Sequence, residues 1–384
     1  MNSIVGAQHV SVPVNAILPT WQSCDQILDW IKKQIDIQGH KRLYTDWYGG
    51  EPMLNQDAIE YFSTQIIEYC DSKNIDYSSS IISNGTLWPE DSKSFVQRNR
   101  IRHVQFTMDG PKQHHNRRRR YVASTTAEGL SSFDRIAETV DRLIGFVRIY
   151  LRINVDPWIG RDALLLIEFF KEKGWFKHGS RFYPYVAMIG PMTEHCGFLG
   201  NSQKILDFRN EFDKLNQEFQ YMIAEYMDPR GIQHLQYYPM TKKINCAAVG
   251  NDSVIFGPDG LMYKWGLEVG DSNKAHDKLL DCHSLTIPTI QQNKKSPFII
   301  LNQPKSVSPN RWKDYDPFSH PKCSQCQYLP ICMGGCPKAH FDKNEFYLEQ
   351  QCMYWEENFD SIIRTYYDTA GSRRPKLISK KICS

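Results

Sequence analysis

The sequence predicts an α/β chain, a partial barrel of parallel strands followed by a small cysteine-rich domain. Three observations predict it. Apolar strand-like segments alternate with amphipathic helical segments, through short links, from about residue 43 to about residue 187. After about residue 190 that rhythm is lost and Pro and Gly become frequent. Five of the 11 cysteines then fall between Cys323 and Cys352. A strand, a helix and another strand joined by short links implies parallel pairing through right-handed crossovers.

The elements follow in order. Residues 1–22 read as irregular. Ser23 reads as an N-cap, and Ile27, Trp30, Ile31 and Ile35 follow at helical spacing, which predicts a helix over 23–36. The run from Leu43 to Tyr48 ends at Gly49-Gly50, a strand and its turn. Helix 57–72, strand 77–83, a short helix after Pro89, strand 103–107, helix 131–146, strand 148–155, helix 161–173 and a last strand near 181–187 complete the series. The helix at 23–36 lacks a strand before it. Either residues 8–14, with Val10, Val12 and Val14, supply that strand, or it is missing from this chain and lies upstream. The domains expected are therefore an irregular segment 1–22, a barrel 23–190, a helical linker 191–240 that carries a polar helix near 201–227, and a cysteine-rich domain 241–384 with a hairpin turn at Gly257-Pro258-Asp259-Gly260.

Composition narrows the function classes. At 41% apolar and 23% charged residues the chain is an ordinary globular one. Lys+Arg 46 against Asp+Glu 43 is too even a balance to argue for nucleic acid or a membrane surface. No apolar run approaches the ~20 residues of a spanning helix, and the first residues carry no basic stretch followed by an apolar core. A cytoplasmic protein is expected. So many thiols in such a chain point to metal ligation before disulfides.

Cys323-x2-Cys326-x5-Cys332-x3-Cys336 is the most specific pattern, with Cys352 after it and Cys246 upstream. Thiolates at this spacing in a Gly/Pro-rich loop can surround one metal centre, and Gly334 and Gly335 let the backbone wrap close. Spacing alone leaves an iron–sulfur cluster and a structural zinc ion both open. Cys24, Cys70, Cys196, Cys282 and Cys383 are scattered and read as buried or incidental thiols.

Three turns stand where parallel strands end, the rim that carries the active site in α/β barrels. They are Gly49-Gly50-Glu51-Pro52, Ser83-Asn84-Gly85-Thr86 and Asp109-Gly110-Pro111. Two glycines admit a ligand to the backbone, and Glu51 suits a cationic ammonium. Strand alternation places Arg152 and Asn154 on one face, and an Arg facing inward needs an anion. The basic run Arg117–Arg120, with Arg98, Arg100, Arg102 and Lys112 nearby, reads as a solvated face, or more sharply as a docking surface for an acidic leader peptide.

These motifs in this order, GGEPML, SNGTL, FTMDGP with HHNRRRR, GLSSFDRIAETVDRL and the tail ending CMGGCP, resemble a radical SAM enzyme with a C-terminal SPASM domain, a family that matures peptides and proteins. The resemblance runs from about residue 23 to about 355 and implies a partial (βα)6 TIM-like barrel. It implies that Gly49, Gly50, Glu51 and Pro52 bind the methionyl amino end of S-adenosylmethionine (SAM), and that Ser83, Asn84 and Arg152 help bind its nucleoside and carboxylate. It further implies an outer auxiliary [4Fe–4S] cluster on Cys323, Cys326, Cys332 and Cys352, with Cys246 and Cys336 belonging to an inner one.

The departures from the family pattern are specific. The Cys-x3-Cys-x2-Cys loop that holds the SAM-cleaving cluster is absent from the first 100 residues, which contain only Cys24 and Cys70. Loss of one upstream segment would explain both that gap and the missing strand; a relic that discarded its cluster is the alternative. Trp265 follows Gly260 where a cysteine is expected, so the inner cluster is expected to be absent or labile. Gly266 stands where some sulfatase-maturing relatives carry an acid, which argues against that substrate class. The expected function is a peptide or protein maturase that generates a 5′-deoxyadenosyl radical and abstracts hydrogen from a side chain, with this chain as written unable to cleave SAM. The competing expectations are a non-catalytic iron–sulfur relic that binds peptides beside an active maturase, and a zinc-stabilised binding module.

Overall fold

The computed structural model describes residues 7–14, 21–119, 131–189, 202–224, 226, 241–242, 246–250, 253–258, 260–278 and 310–371. The chain alternates β1 (Ala7–Val14), α1 (Trp21–Gln38), β2 (Arg42–Gly49), α2 (Gln56–Ser72), β3 (Asp76–Ile82), α3 (Ser92–Arg98), β4 (Ile101–Met108), α4 (Lys112–Arg118), α5 (Ser132–Leu143), β5 (Arg148–Val155), α6 (Leu165–Glu172) and β6 (Phe182–Met188). These strands lie in sequential order from β6 to β1, every neighbouring pair parallel. This is the expected partial (βα)6 barrel.

The strand pattern sorts the two faces. On β5, Ile149, Leu151, Ile153 and Val155 are fully buried toward the helices, while Tyr150, Arg152 and Asn154 are half-buried on the concave face. Helix α5 presents Phe133, Ile136, Ala137, Val140 and Leu143 to the same core at helical spacing. It opens with a capping box. The Asp134 N–H donates to Ser131 Oγ and the Ser131 N–H to the Asp134 carboxylate, a cap that contributes about 1 kcal/mol. The helix expected over 131–146 ends at Leu143 with Ile144 as its C-cap, and 161–173 divides into a 3-10 turn, Gly160–Leu164, followed by α6.

Three expectations are corrected. Residues 1–22 are not irregular throughout, because Ala7–Val14 forms β1, parallel to β2 in register from Ala7 against Arg42 to Val14 against Gly49. The first strand is therefore present, supplied by the 8–14 alternative. Ser23 lies inside the first turn of α1, which begins at Trp21, and does not cap it. The C-terminal domain carries a long helix that its weak periodicity does not announce.

The sheet continues past the barrel. After α7 (Ser202–Ala224), β7 (Ser253–Phe256) pairs in parallel with β1, and β8 (Leu261–Tyr263) and β9 (Asp277–Lys278) add antiparallel strands. The expected hairpin thus falls at Gly257–Gly260, although Asp259 is outside the described residues. Trp30 of α1 meets Phe256 of β7 edge-on at 5.4 Å, so the two expected domains share a sheet and a packed contact. Three short helices, α8 (Pro321–Ser324), α9 (Leu329–Cys332) and α10 (Pro337–Phe341), then lead into the long helix α11 (Glu345–Gly371). Most of the expected linker 191–240, Arg120 and the cysteines Cys196, Cys282 and Cys383 lie outside the described residues. Among the described residues no helix is long and apolar enough to cross a membrane.

Candidate functional site

The rim at the C-terminal ends of the strands gathers the predicted turns. Gly49 ends β2 at φ 147, in the region open to glycine, and the next turn begins at Pro52 with Glu51 as its cap. Glu51 is buried, and its carboxylate accepts the Met53 N–H at 3.1 Å, the Ser83 hydroxyl at 2.7 Å and the Asn84 N–H at 2.6 Å. Burial pushes its carboxyl upward, against the hydrogen bonds from Asn84, Ser83 and Met53 that favour the charged form. A carboxylate has about four lone-pair positions, so one remains for an ammonium donor. Gly85 must be glycine at φ +80, because an added Cβ would sit 3.1 Å from Phe106 Cδ1 and 3.2 Å from Ile136 Cγ1. GGEP and SNG therefore meet, but Ser83 and Asn84 are occupied in holding Glu51.

Arg152 joins this rim indirectly. Its Nε donates to Asn154 Oδ1 at 2.8 Å, Asn154 Nδ2 donates to Asp109 Oδ1 at 2.9 Å, and Arg119 Nε donates to Asp109 Oδ2 at 2.8 Å. The Asp109 N–H donates to Nδ1 of the buried His115 at 3.0 Å. Arg119 is also close enough to Glu51 to favour its charged form. Asp109 and Asn154 can be glimpsed in the sequence, one at a strand end and the other two residues beyond Arg152. Arg119 cannot, being one of four consecutive arginines.

Part of the basic run turns into the fold. Arg118 turns inward onto buried Asp156, and Arg119 onto buried Asp109. Arg98, Arg100, Arg102 and Lys112 pair with Glu60, Asp71, Asp76 and Asp134. These four pairs lie at the surface, with the Arg102 and Lys112 side chains 60% and 56% exposed.

The barrel's own thiols do not suit a cluster. Cys24 in α1 and Cys70 in α2 are core residues, and burial pushes their thiols up to about 11 and about 12. The sequence between β1 and α1, residues 15–20, is Asn-Ala-Ile-Leu-Pro-Thr, with no sulfur ligand. The residues present therefore do not fit the SAM-cleaving cluster.

The C-terminal thiols behave differently. Burial first, and then Cys352, Cys332 and Cys326, raise the Cys323 thiol. Cys352 and Cys326 act likewise on Cys332, and Cys326 on Cys352, so all four lie within electrostatic reach of one another. Cys352 comes from α11, and Gln351 beside it ties that helix to the loop by accepting the Cys336 N–H at 2.7 Å. Gly335, at φ +77, leaves no room for a Cβ against Gln351 Oε1, nor Gly334, at φ +78, against Tyr315 Oη. The glycines expected to admit a metal instead admit these two side chains. Among the described residues no three His, Cys, Asp or Glu side chains are drawn close enough to hold a single metal ion.

Cys336 lies within electrostatic reach of Cys246, whose thiol is raised by burial first and also by Cys336. Trp265 lies in the neighbourhood, with Lys338 Nζ 5.1 Å from its ring centroid and the Trp312 ring 6.4 Å away. Among the described residues these two thiols alone do not make a four-ligand set for the inner cluster; Cys282 lies outside the described residues. Gly266, next to Trp265, backs onto Tyr48, whose ring would lie 3.5 Å from an added Cβ.

A parallel partial barrel with GGEP and SNG meeting at one rim, continued by a cysteine-rich domain, is the architecture of radical SAM maturases with a SPASM extension. The comparisons agree. Two curated relatives, both described as cysteine-type anaerobic sulfatase-maturating enzymes from Clostridium perfringens strains, are 24% and 23% identical over 351 and 350 residues, covering 88% of this chain and 85% of theirs. A solved structure of anSMEcpe with bound AdoMet and Cp18Cys peptide has a TM-score of 0.62 at 17% identity, over 96% of this chain and 100% of that one. Another, of polyhistidine-tagged anSMEcpe with bound AdoMet, has a TM-score of 0.60 at 17% identity, over 96% of each chain. No family model matches the chain. The chain thus has the radical SAM fold and is related in sequence to anaerobic sulfatase-maturating enzymes.

Proposed function

We propose that this chain is a radical SAM/SPASM-type maturase component for a peptide or protein substrate, which binds SAM at the Glu51 rim and holds one auxiliary [4Fe–4S] cluster. The observation that carries the reading is the convergence on Glu51 of GGEP and SNG, at 2.6–2.7 Å, with Arg152 linked to the same rim. Glu51 would accept the methionyl ammonium on its remaining lone pair, Gly49, Gly50 and Pro52 would shape the backbone against it, and Arg152 would take the carboxylate. Ser83 and Asn84 would act by fixing Glu51. Cys323, Cys326, Cys332 and Cys352 would hold the cluster, which when bound supplies electron transfer that side chains cannot. The relatives' names and the peptide bound to anSMEcpe support a peptide or protein substrate. Gly266, in place of an acid, sets this chain's substrate apart from that of some sulfatase-maturing relatives.

Hydrogen abstraction from that substrate needs a SAM-cleaving cluster, and these 384 residues contain no Cys-x3-Cys-x2-Cys to ligate it. The chain alone is therefore expected to bind SAM without cleaving it. One specific observation favours the second reading, a non-catalytic peptide-binding partner of an active maturase: Ala7–Val14 already fills the first-strand position, and residues 15–20 after it carry no thiol. Calorimetry with SAM tests the binding site. Glu51→Gln should weaken SAM by about 1–3 kcal/mol, through loss of a charge-assisted hydrogen bond. Unchanged affinity in that variant would overturn the assignment. An in-frame Cys-x3-Cys-x2-Cys in the DNA upstream of Met1 would select the maturase; a stop codon directly before Met1 would select the partner.

A further inference from the structure

Three consecutive residues between Cys332 and Cys336 lie in the left-handed region: Met333 at φ 50, Gly334 at φ 78 and Gly335 at φ 77. Met333 carries a Cβ, and such a turn persists only where its surroundings fix it. Two of its carbonyls are held by side chains from outside the turn. Tyr315 Oη donates to the Met333 oxygen at 3.1 Å, and His340 Nε2 donates to the Gly334 oxygen at 2.6 Å. A carbonyl only accepts, so the His340 proton sits on Nε2. The rings support one another. The His340 centroid is 5.4 Å from that of Tyr315 and 5.1 Å from that of His320, and Phe341 meets Tyr315 edge-on at 6.0 Å. A Cβ on Gly334 would strike the Tyr315 hydroxyl, so the turn and the phenol are fitted to each other.

What this turn offers the thiols is a peptide N–H. The Gly335 N–H donates to the Cys332 carbonyl at 3.2 Å and also hydrogen-bonds the Cys332 sulfur, where it favours the thiolate. The Tyr315 hydroxyl lies within electrostatic reach of Cys323, Cys332 and Cys336. Its one proton goes to Met333, so it acts on the sulfurs through the turn and not as their donor. Peptide N–H groups on ligand sulfurs stabilise the more negative, reduced state of an iron–sulfur centre and so raise its potential.

We propose that Tyr315 and His340 are positioning residues that clamp the Met333–Gly335 turn by its carbonyls, aim the Gly335 N–H at the Cys332 sulfur, and thereby raise the reduction potential of the centre on Cys323, Cys326, Cys332 and Cys352. The inference rests on the auxiliary-cluster reading above and adds to it two residues that tune the cluster without ligating it. Each side chain acts at one carbonyl, so each can be removed without touching a thiol.

Potentiometric titration of the anaerobically reconstituted chain, followed by electron paramagnetic resonance, tests it beside iron analysis. Tyr315→Phe keeps the ring and removes only the hydroxyl. It should make reduction about tenfold less favourable, a midpoint about 59 mV more negative for a one-electron couple, with about four irons retained. His340→Phe should shift the midpoint the same way. His340→Gln, which keeps a donor near the Nε2 position, should stay close to the parent. The near-isosteric Tyr315→Phe guards against a folding failure in His340→Phe. A merely structural role would lower the iron content and leave the potential of the remaining cluster unmoved. That result, or an unchanged potential at full iron in Tyr315→Phe, would overturn the clamp while the cluster stood. No iron–sulfur cluster in the parent chain would overturn both.

Discussion

The barrel and the C-terminal cysteine region are held together by different means. Every barrel strand from β2 to β6 sends fully buried apolar side chains to the helices, among them Leu43, Tyr77, Ile81, Val104, Phe106, Leu151 and Phe182. Over 310–371 the buried apolar side chains among the described residues are Trp312, Pro317, Leu329, Ile331, Pro337 and Ala339. The thiols follow the same division. Cys24 and Cys70 are core atoms in the first region, whereas Cys323, Cys326, Cys332 and Cys352 are half-buried and within electrostatic reach of one another in the second. A segment that buries so little gains most from a cross-link, and the metal centre proposed on these thiols would be such a link. The comparison teaches that the same residue type is filler where the core is large and stays partly exposed, available as a ligand, where it is small.

The largest effect should come from the barrel core. Phe106 is fully buried and packs edge-on against Trp88 at 5.6 Å. Phe106→Ala should cost about 3–5 kcal/mol in urea denaturation while leaving iron per folded chain unchanged. Chelating the metal should do the reverse. Proteolysis within 310–371 should accelerate by about tenfold or more, with the barrel's unfolding midpoint unmoved. A barrel that melts on chelation would break the comparison.

Acid sharpens it further. Burial lowers His115 from 6.5 to about 4, and His276 of the second region to about 4 as well. A histidine kept neutral in the native state binds its proton first in the unfolded one. The stability it contributes is therefore whole above pH 6.5 and is lost as the pH falls from there toward 4. For His115 this is about 2 kcal/mol between about pH 7.5 and about pH 5, read from urea midpoints, and His115→Gln should flatten the profile. The smallest effect should be that of Gln351→Ala. Freeing α11 from the Cys336 N–H should cost about 1 kcal/mol of local opening, seen as faster amide exchange in α11 and unchanged exchange in β2–β6.

Much of this is legible where periodicity and chemistry coincide. Strand 148–155 has the bounds its sequence predicts, because four apolar residues alternate with Tyr150, Arg152 and Asn154 on its two faces. The rim turns are legible because glycine at a strand end has few other uses. The first strand is not, since eight residues with a Pro, a Gln and a His carry little strand signal until β2 and β7 flank them. Helix α11 is hidden because its apolar and aromatic residues do not gather into one stripe. The inward turn of Arg118 and Arg119 is masked by their neighbours: four like residues in a row carry no information on which of them meets Asp156 or Asp109.

The central claim is that the second region is organised by one cluster on four thiols, and metal analysis of anaerobically reconstituted protein tests it most directly. The parent chain should hold about four irons and as many sulfides, the content of one [4Fe–4S] cluster. Cys326→Ala should lose most of that iron, and Cys70→Ala, altering only the barrel core, should keep it. About eight irons would restore the inner cluster at Cys246 and Cys336. One zinc with no iron, or full iron retention in Cys326→Ala, would contradict the claim.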